Sequence, residues 1–91
     1  MKNRLDEKID DSKTLTEFIK VGYELAEYQL IIKYMRDYLA IHSRDNGIRY
    51  NLGMTLLKTG ETRKAKLEFR ATLRFNPKFQ PARDILERLR N

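Results

Sequence analysis

Gly53, Gly60, Ala65, Phe69 and Pro77 constrain this chain more than any other feature of it. Apolar residues recur around them at intervals of three and four, the period of a helix with one buried face. In that setting each has a physical reason. Gly53 has no side chain and lets a neighbouring helix approach closely. Gly60 is free to take the left-handed conformation that ends a helix in a tight turn. Ala65 suits a point where two helices touch and a larger side chain would push them apart. Phe69 fills the space between hairpins. Pro77 ends the unit, because the residue before a proline disfavours the helical region.

The same periodicity runs through almost everything after Leu15, and nothing alternates with period two, so no strand is expected. Thr14 and Glu17 fit a capping box for a first helix running to about Leu25, with Leu15, Phe18, Ile19 and Gly22 inward. A second helix spans Tyr28 to Ile41, with Ile31, Met35, Tyr38 and Leu39 inward. Asp45 or Asn46 is a suitable N-cap for a third, from about Gly47 to Lys58, burying Ile48, Leu52, Gly53 and Leu56. A fourth covers Thr62 to Phe75 and draws its apolar atoms from Ala65, Leu67, Phe69, Leu73 and Phe75. Pro81 suits the first turn of a fifth, which carries Ile85, Leu86 and Leu89. Short links imply antiparallel neighbours.

A chain of 91 residues with 41% hydrophobic and 35% charged residues is one folded domain rather than a disordered segment. Without cysteine it has no disulfide and no thiolate metal site. No apolar run approaches the roughly 20 residues of a membrane span. Residues 1–12 lack the apolar stretch of a secretory signal. A soluble, cytoplasmic protein without membrane insertion, or a soluble piece of a longer one, is expected. The charge is lopsided: residues 1–45 carry 8 Lys/Arg and 9 Asp/Glu, residues 46–91 carry 11 and 4. The net charge of +6 therefore lies in the second half, which points to an acidic partner.

The order Leu52-Gly53, Leu56, Gly60, Ala65, Phe69, Leu73, Pro77 resembles the tetratricopeptide repeat (TPR) in residue type and spacing over residues 46–79. Arg49 stands where that family usually has a large aromatic, and Thr72 replaces a common alanine. The family's period is about 34 residues. Shifted back by it, residues 12–45 fall on the same frame. Glu27, Arg36 and Leu39 match Glu61, Arg70 and Leu73, while Phe18, Ala26, Ile31 and Met35 take the places of Leu52, Gly60, Ala65 and Phe69. Gly22 stands where a large residue is usual, and Ser43 where the proline is. The resemblance implies an all-α fold of antiparallel helical hairpins in a short TPR-like superhelix. It would hold a degenerate repeat at 12–45, a clear repeat at 46–79 and a capping helix at 80–91 that turns Arg83, Glu87 and Arg90 to water. Residues 1–11 form a charged N-terminal segment, expected to be flexible.

In that family the first helix of each hairpin lines a concave groove that holds a peptide. The resemblance therefore implies a protein–protein interaction adaptor or scaffold. Its groove would take Tyr50, Met54 and Leu57, at i, i+4 and i+7 on one face of the third helix, with Asn51 and Lys58 as polar members. Thr16, Lys20, Tyr23 and Glu24 on the first helix, and Asp84 and Arg88 on the last, would extend it. The plainer alternative makes the three apolar side chains core. The family's chaperone-binding branch clamps a C-terminal carboxylate; Asn51 fits one such place and Lys20 could supply charge, but the full set is absent and two hairpins are fewer than that clamp uses. A second surface is the basic stripe Arg63, Lys66, Arg70 and Arg74 on the fourth helix, flanked by Lys64 and Lys78. It is a solvated face, with cations favoured near the helix C-terminus, a contact for nucleic acid or an anionic surface, or a site for an acidic protein. No aromatic interleaves with it to stack on bases.

No enzyme activity, cofactor or metal is expected. His42 is the only histidine and has no carboxylate at a telling spacing. Asp10 and Asp11 read as solvated charge or a cap. No phosphate loop, ligand cluster or nucleophile–base pair is present. Two hairpins and a closing helix leave an apolar edge at Leu15, Phe18 and Ile19, joined by Tyr23, Tyr34 and Tyr38. Either Leu5 and Ile9 fold back over it, or two chains meet there as a homodimer.

Overall fold

The carboxylate of Asp11 accepts the backbone N–H of Thr14 at 2.8 Å and its hydroxyl at 2.7 Å. Asp11 thereby caps the first helix, α1 (Ser12–Glu24), in the computed structural model of the chain, which describes residues 9–90. These hydrogen bonds from Thr14 hold the Asp11 carboxyl below its ordinary pKa. The capping box expected at Thr14 and Glu17 is not used, because Thr14 is already inside the helix as the donor to an earlier cap. Four more helices follow: α2 (Tyr28–Ile41), α3 (Asn46–Lys58), α4 (Thr62–Phe75) and α5 (Gln80–Arg88). No strand occurs among the described residues. Asp45 caps α3, its side chain accepting from Ile48 N–H at 3.2 Å. Pro81 lies in the first turn of α5, where its missing N–H costs nothing.

The helices recur at one interval. α1, α3 and α5 begin at residues 12, 46 and 80, and α2 and α4 at 28 and 62, which is 34 residues in every case. The turns recur bond for bond. Glu27 N–H donates to Gly22 O at 2.8 Å, as Glu61 does to Leu56 O at 2.8 Å; Ala26 donates to Tyr23 O at 3.1 Å, as Gly60 does to Leu57 O at 3.0 Å. Both turns are helix C-caps of the Schellman kind. The residue at the bend is left-handed in both, with φ 57° at Ala26 and 84° at Gly60.

Each helix packs on the next, which draws the chain out to 49 × 25 × 18 Å. One core runs along its length and includes Leu15, Ile31, Met35, Leu52, Phe69 and Ala82. Gly53 and Phe69 meet inside it: a β-carbon on Gly53 would stand 2.5 Å from the Phe69 ring. Phe69 thus fills space inside its own hairpin, against Gly53 and Tyr50. Ala65 and Phe69 are fully buried, as the spacing requires.

Leu67 and Phe75 do not belong to this core; they are 57% and 43% exposed. Leu67 is two residues from Ala65 and from Phe69, which puts it on the opposite side of the helix. Phe75 lies under the guanidinium groups of Arg44 and Arg49, 5.7 and 5.6 Å from its centroid. The N-terminal edge is also not open where expected. Leu15, Ile19, Tyr34 and Tyr38 are buried, and Phe18 is half-buried with its ring 4.7 Å from that of Tyr34. Ile9 is half-buried against the same core, and Leu5 lies outside the described residues. The exposed apolar side chains of this edge are Val21 and Leu25 instead. Val21 stands 34 residues before the fully buried Thr55, and no described helix precedes α1 to cover it.

Candidate functional site

Helix α3 turns Ile48, Leu52, Gly53, Thr55 and Leu56 into the core, which leaves Tyr50, Met54 and Leu57 half-buried along its margin. Tyr50 and Met54 form one wall of an open depression of about 320 Å³ between α3 and α5. Pro81, Asp84, Ile85 and Arg88 form the other. The Tyr50 ring is fixed by packing against Phe69 and Phe79, with centroids 5.6 and 5.7 Å away. It is therefore core on one side and wall on the other. Gln80 donates to Asp84 at 2.7 Å, so the carboxylate on the rim is held in place.

The structure brings Tyr50 and Met54 together with Asp84 and Arg88, but not with the other expected members. Asn51 and Leu57 are half-buried outside the depression, and Lys58 is exposed. Lys20 is exposed on α1, and Tyr23 packs edge-on against Tyr28 at 5.3 Å. Thr16 and Lys20 occupy the same helical places as Tyr50 and Met54, one interval earlier, yet they do not line the depression.

The basic stripe is partly as expected. Arg63, Arg70 and Arg74 are exposed and Lys66 is half-buried. None of the four has an ion-pair partner among the described residues, whereas the flanking Lys64 binds Glu61 at 3.2 Å. Arg70 also belongs to a second cluster. With Leu73, Arg83, Leu86, Glu87 and Arg90 it lines a depression of about 360 Å³ between α4 and α5.

The polar contacts that tie the helices together were not visible in the sequence. Glu68 accepts from Arg49 Nη1 at 3.0 Å and pairs with Arg36 at 3.6 Å. Arg49 Nη2 donates to the Ser43 carbonyl at 2.8 Å. The Arg49 and Glu68 side chains are only 14% and 15% exposed, so the pair is partly desolvated. The one signal was Arg49 itself, a cation where an aromatic is usual. Tyr38 donates to Asp45 at 2.6 Å, so one carboxylate both caps α3 and anchors α2 to it. Burial, together with that bond to Asp45, pushes the Tyr38 hydroxyl up to about 12. His42 does have a carboxylate partner, contrary to expectation. Its Nε2 meets Asp10 at 2.5 Å, across 32 residues of sequence, and its ring lies 4.6 Å from Tyr38.

Comparison with protein-family models, with curated proteins and with solved structures finds no match for this chain. Among the described residues no helix is long and apolar enough to cross a membrane. No group of three or more His, Cys, Asp or Glu side chains among them is placed to hold a metal ion.

Proposed function

We propose that this chain is a protein-binding module, a short helical array of the tetratricopeptide type, which holds a peptide or protein segment in the depression between α3 and α5. The observation that carries the reading is the wall of that depression. Tyr50 and Met54 stand half-exposed at successive turns, facing Ile85, with Asp84 and Arg88 on the rim. An apolar floor with a few fixed charges is the usual make-up of a recognition site, and Met adapts its shape to varied ligands. The constant 34-residue interval of helix starts and turns supports the repeat reading. No residue is assigned a catalytic role. A homodimer, if formed at the N-terminal edge, would use Phe18, Val21 and Leu25.

Affinity capture with the full chain and with Met54→Asp tests the reading. The variant should lose the captured partner while circular dichroism shows unchanged helicity. If Met54→Asp melts the domain, the side chain is core and the reading fails. A second reading, contact with a polyanion, is favoured by the unpaired cations of the α4 stripe. Reversing Arg63, Lys66 and Arg70 to Glu should remove polyanion affinity, which weakens steeply with salt, and leave binding at the depression intact.

A further inference from the structure

We propose that the C-terminal edge of the array is a docking site for a carboxylate carried on a partner protein's helix, gripped by Arg70 and Arg83 as Arg36 and Arg49 grip Glu68 inside the molecule. This site is separate from the α3–α5 depression and does not depend on it.

Two depressions on the molecule are built alike. Arg36, Leu39, Arg49 and Leu52 line the first. Arg70, Leu73, Arg83 and Leu86 line the second, each 34 residues after its counterpart. The likeness extends to orientation. Arg49 is held by a bond from Nη2 to the Ser43 carbonyl at 2.8 Å, and Arg83 by a bond from Nη2 to the Pro77 carbonyl at 2.5 Å. Ser43 and Pro77 are again 34 apart.

One part is missing from the second site. In the first, Glu68 reaches in from α4, the helix after α3, and accepts from Arg49 Nη1 at 3.0 Å. Among the described residues no carboxylate on a further helix takes that place. The acidic residue nearby, Glu87, is bound to Arg90 at 3.1 Å, and both side chains are more than 70% exposed. Arg83 is thus oriented for an anion, and Arg70 has no ion-pair partner among the described residues.

The internal counterpart defines the occupant. Glu68 arrives on a helix whose inward face carries Ala65, Phe69 and Thr72, all fully buried. The docking helix should therefore present a Glu beside small and apolar residues that cover Leu73 and Leu86. Arg70, Arg83 and Arg90, within a half-chain of net charge +7, complement an acidic partner. A phosphate would also meet the arginines. The two leucines between them, and the lack of any aromatic in the lining to stack on a base, favour a carboxylate on an apolar helix.

The test titrates the full chain with a neutral helical peptide carrying one Glu in the α4 setting, with Ala three residues before it and Phe directly after. A twin peptide carries Gln in place of that Glu. Calorimetry gives the affinities and backbone amide shifts over residues 70–90 give the place. The Glu peptide should bind about tenfold more tightly than its twin, the preference expected for a charge-assisted bond. Arg70→Gln and Arg83→Gln should each erase that preference. Arg63→Gln, outside the depression, should keep it. Because Arg83 also anchors the turn at Pro77, Arg70→Gln decides the matter if Arg83→Gln fails to fold. Equal affinity for the two peptides, or no binding of either, overturns the proposal. A duplex oligonucleotide that displaces the Glu peptide at lower concentration overturns it in favour of nucleic acid. Self-association that Arg70→Gln abolishes overturns it in favour of a second copy of this chain.

Discussion

The Cγ2 methyl of Ile31 stands in the space that a β-carbon on Gly22 would occupy. One interval later the corresponding pair is Leu56 and Ala65, both buried. Large and small have changed sides across the same helix–helix contact. In the first hairpin the gap is on the first helix and the bulk on the second; in the second hairpin the reverse holds. Gly22 and Ile31, each out of place when taken alone, are therefore one compensated exchange, as close packing demands.

A double-mutant cycle measures this. Gly22→Leu alone should overpack the hairpin and cost about 1–3 kcal/mol. Ile31→Ala alone should leave a cavity and cost about 2–5 kcal/mol. The double variant recreates the Leu56–Ala65 pairing, so its cost in urea denaturation should fall below the sum of the two by more than about 0.5 kcal/mol. Additive costs would mean that the two side chains do not share the space.

The two left-handed bends should respond with opposite sign. Ala26 holds φ 57° with a β-carbon, and Gly60 holds φ 84° without one. Ala26→Gly relieves the steric cost of that region, while Gly60→Ala imposes it, by about 1 kcal/mol each. Thermal melts of the two variants should move apart, Ala26→Gly upward and Gly60→Ala downward. Nothing lies within 4 Å of a β-carbon at Gly60, so its loss would report backbone strain alone.

Tyr38 predicts a pH dependence at the alkaline end. Its hydroxyl titrates at about 12 in the folded chain against 10.0 ordinarily. The folded state thus keeps a proton that the unfolded chain gives up, and stability falls as pH rises between those values. Below pH 10 the contribution is complete. Phenolate absorbance should show a tyrosine ionisation at about 12. Asp45→Asn removes the carboxylate that the hydroxyl binds and should bring that titration down. Burial keeps it above the ordinary value.

Helix limits were legible because they are local. A left-handed glycine, an N-cap carboxylate and a proline act within a few residues of themselves. Tyr28–Ile41 and Thr62–Phe75 fall where the periodicity and the turn residues place them. The start of α1 lies earlier than Thr14 because Asp11, one turn before it, takes the free N–H group of Thr14. Of the groove residues, Tyr50 and Met54 meet Asp84 and Arg88 because all four sit at equivalent places on helices one interval apart. Lys20, at the equivalent place on α1, stays outside, because that depression lies between α3 and α5.

The sequence by itself determined five helices, their turns and the 34-residue interval between them, since each depends on periodicity and on the backbone preferences of single residues. Tertiary structure alone decided which side chains meet across helices. It set the large side of each hairpin contact, gave Glu68 to Arg36 and Arg49, and joined Tyr38 to Asp45 and His42 to Asp10. Those pairings join separate helices, or α2 and the segments flanking it. They depend on the distance and rotation between the elements, quantities fixed by packing the whole core and not by any one stretch of chain.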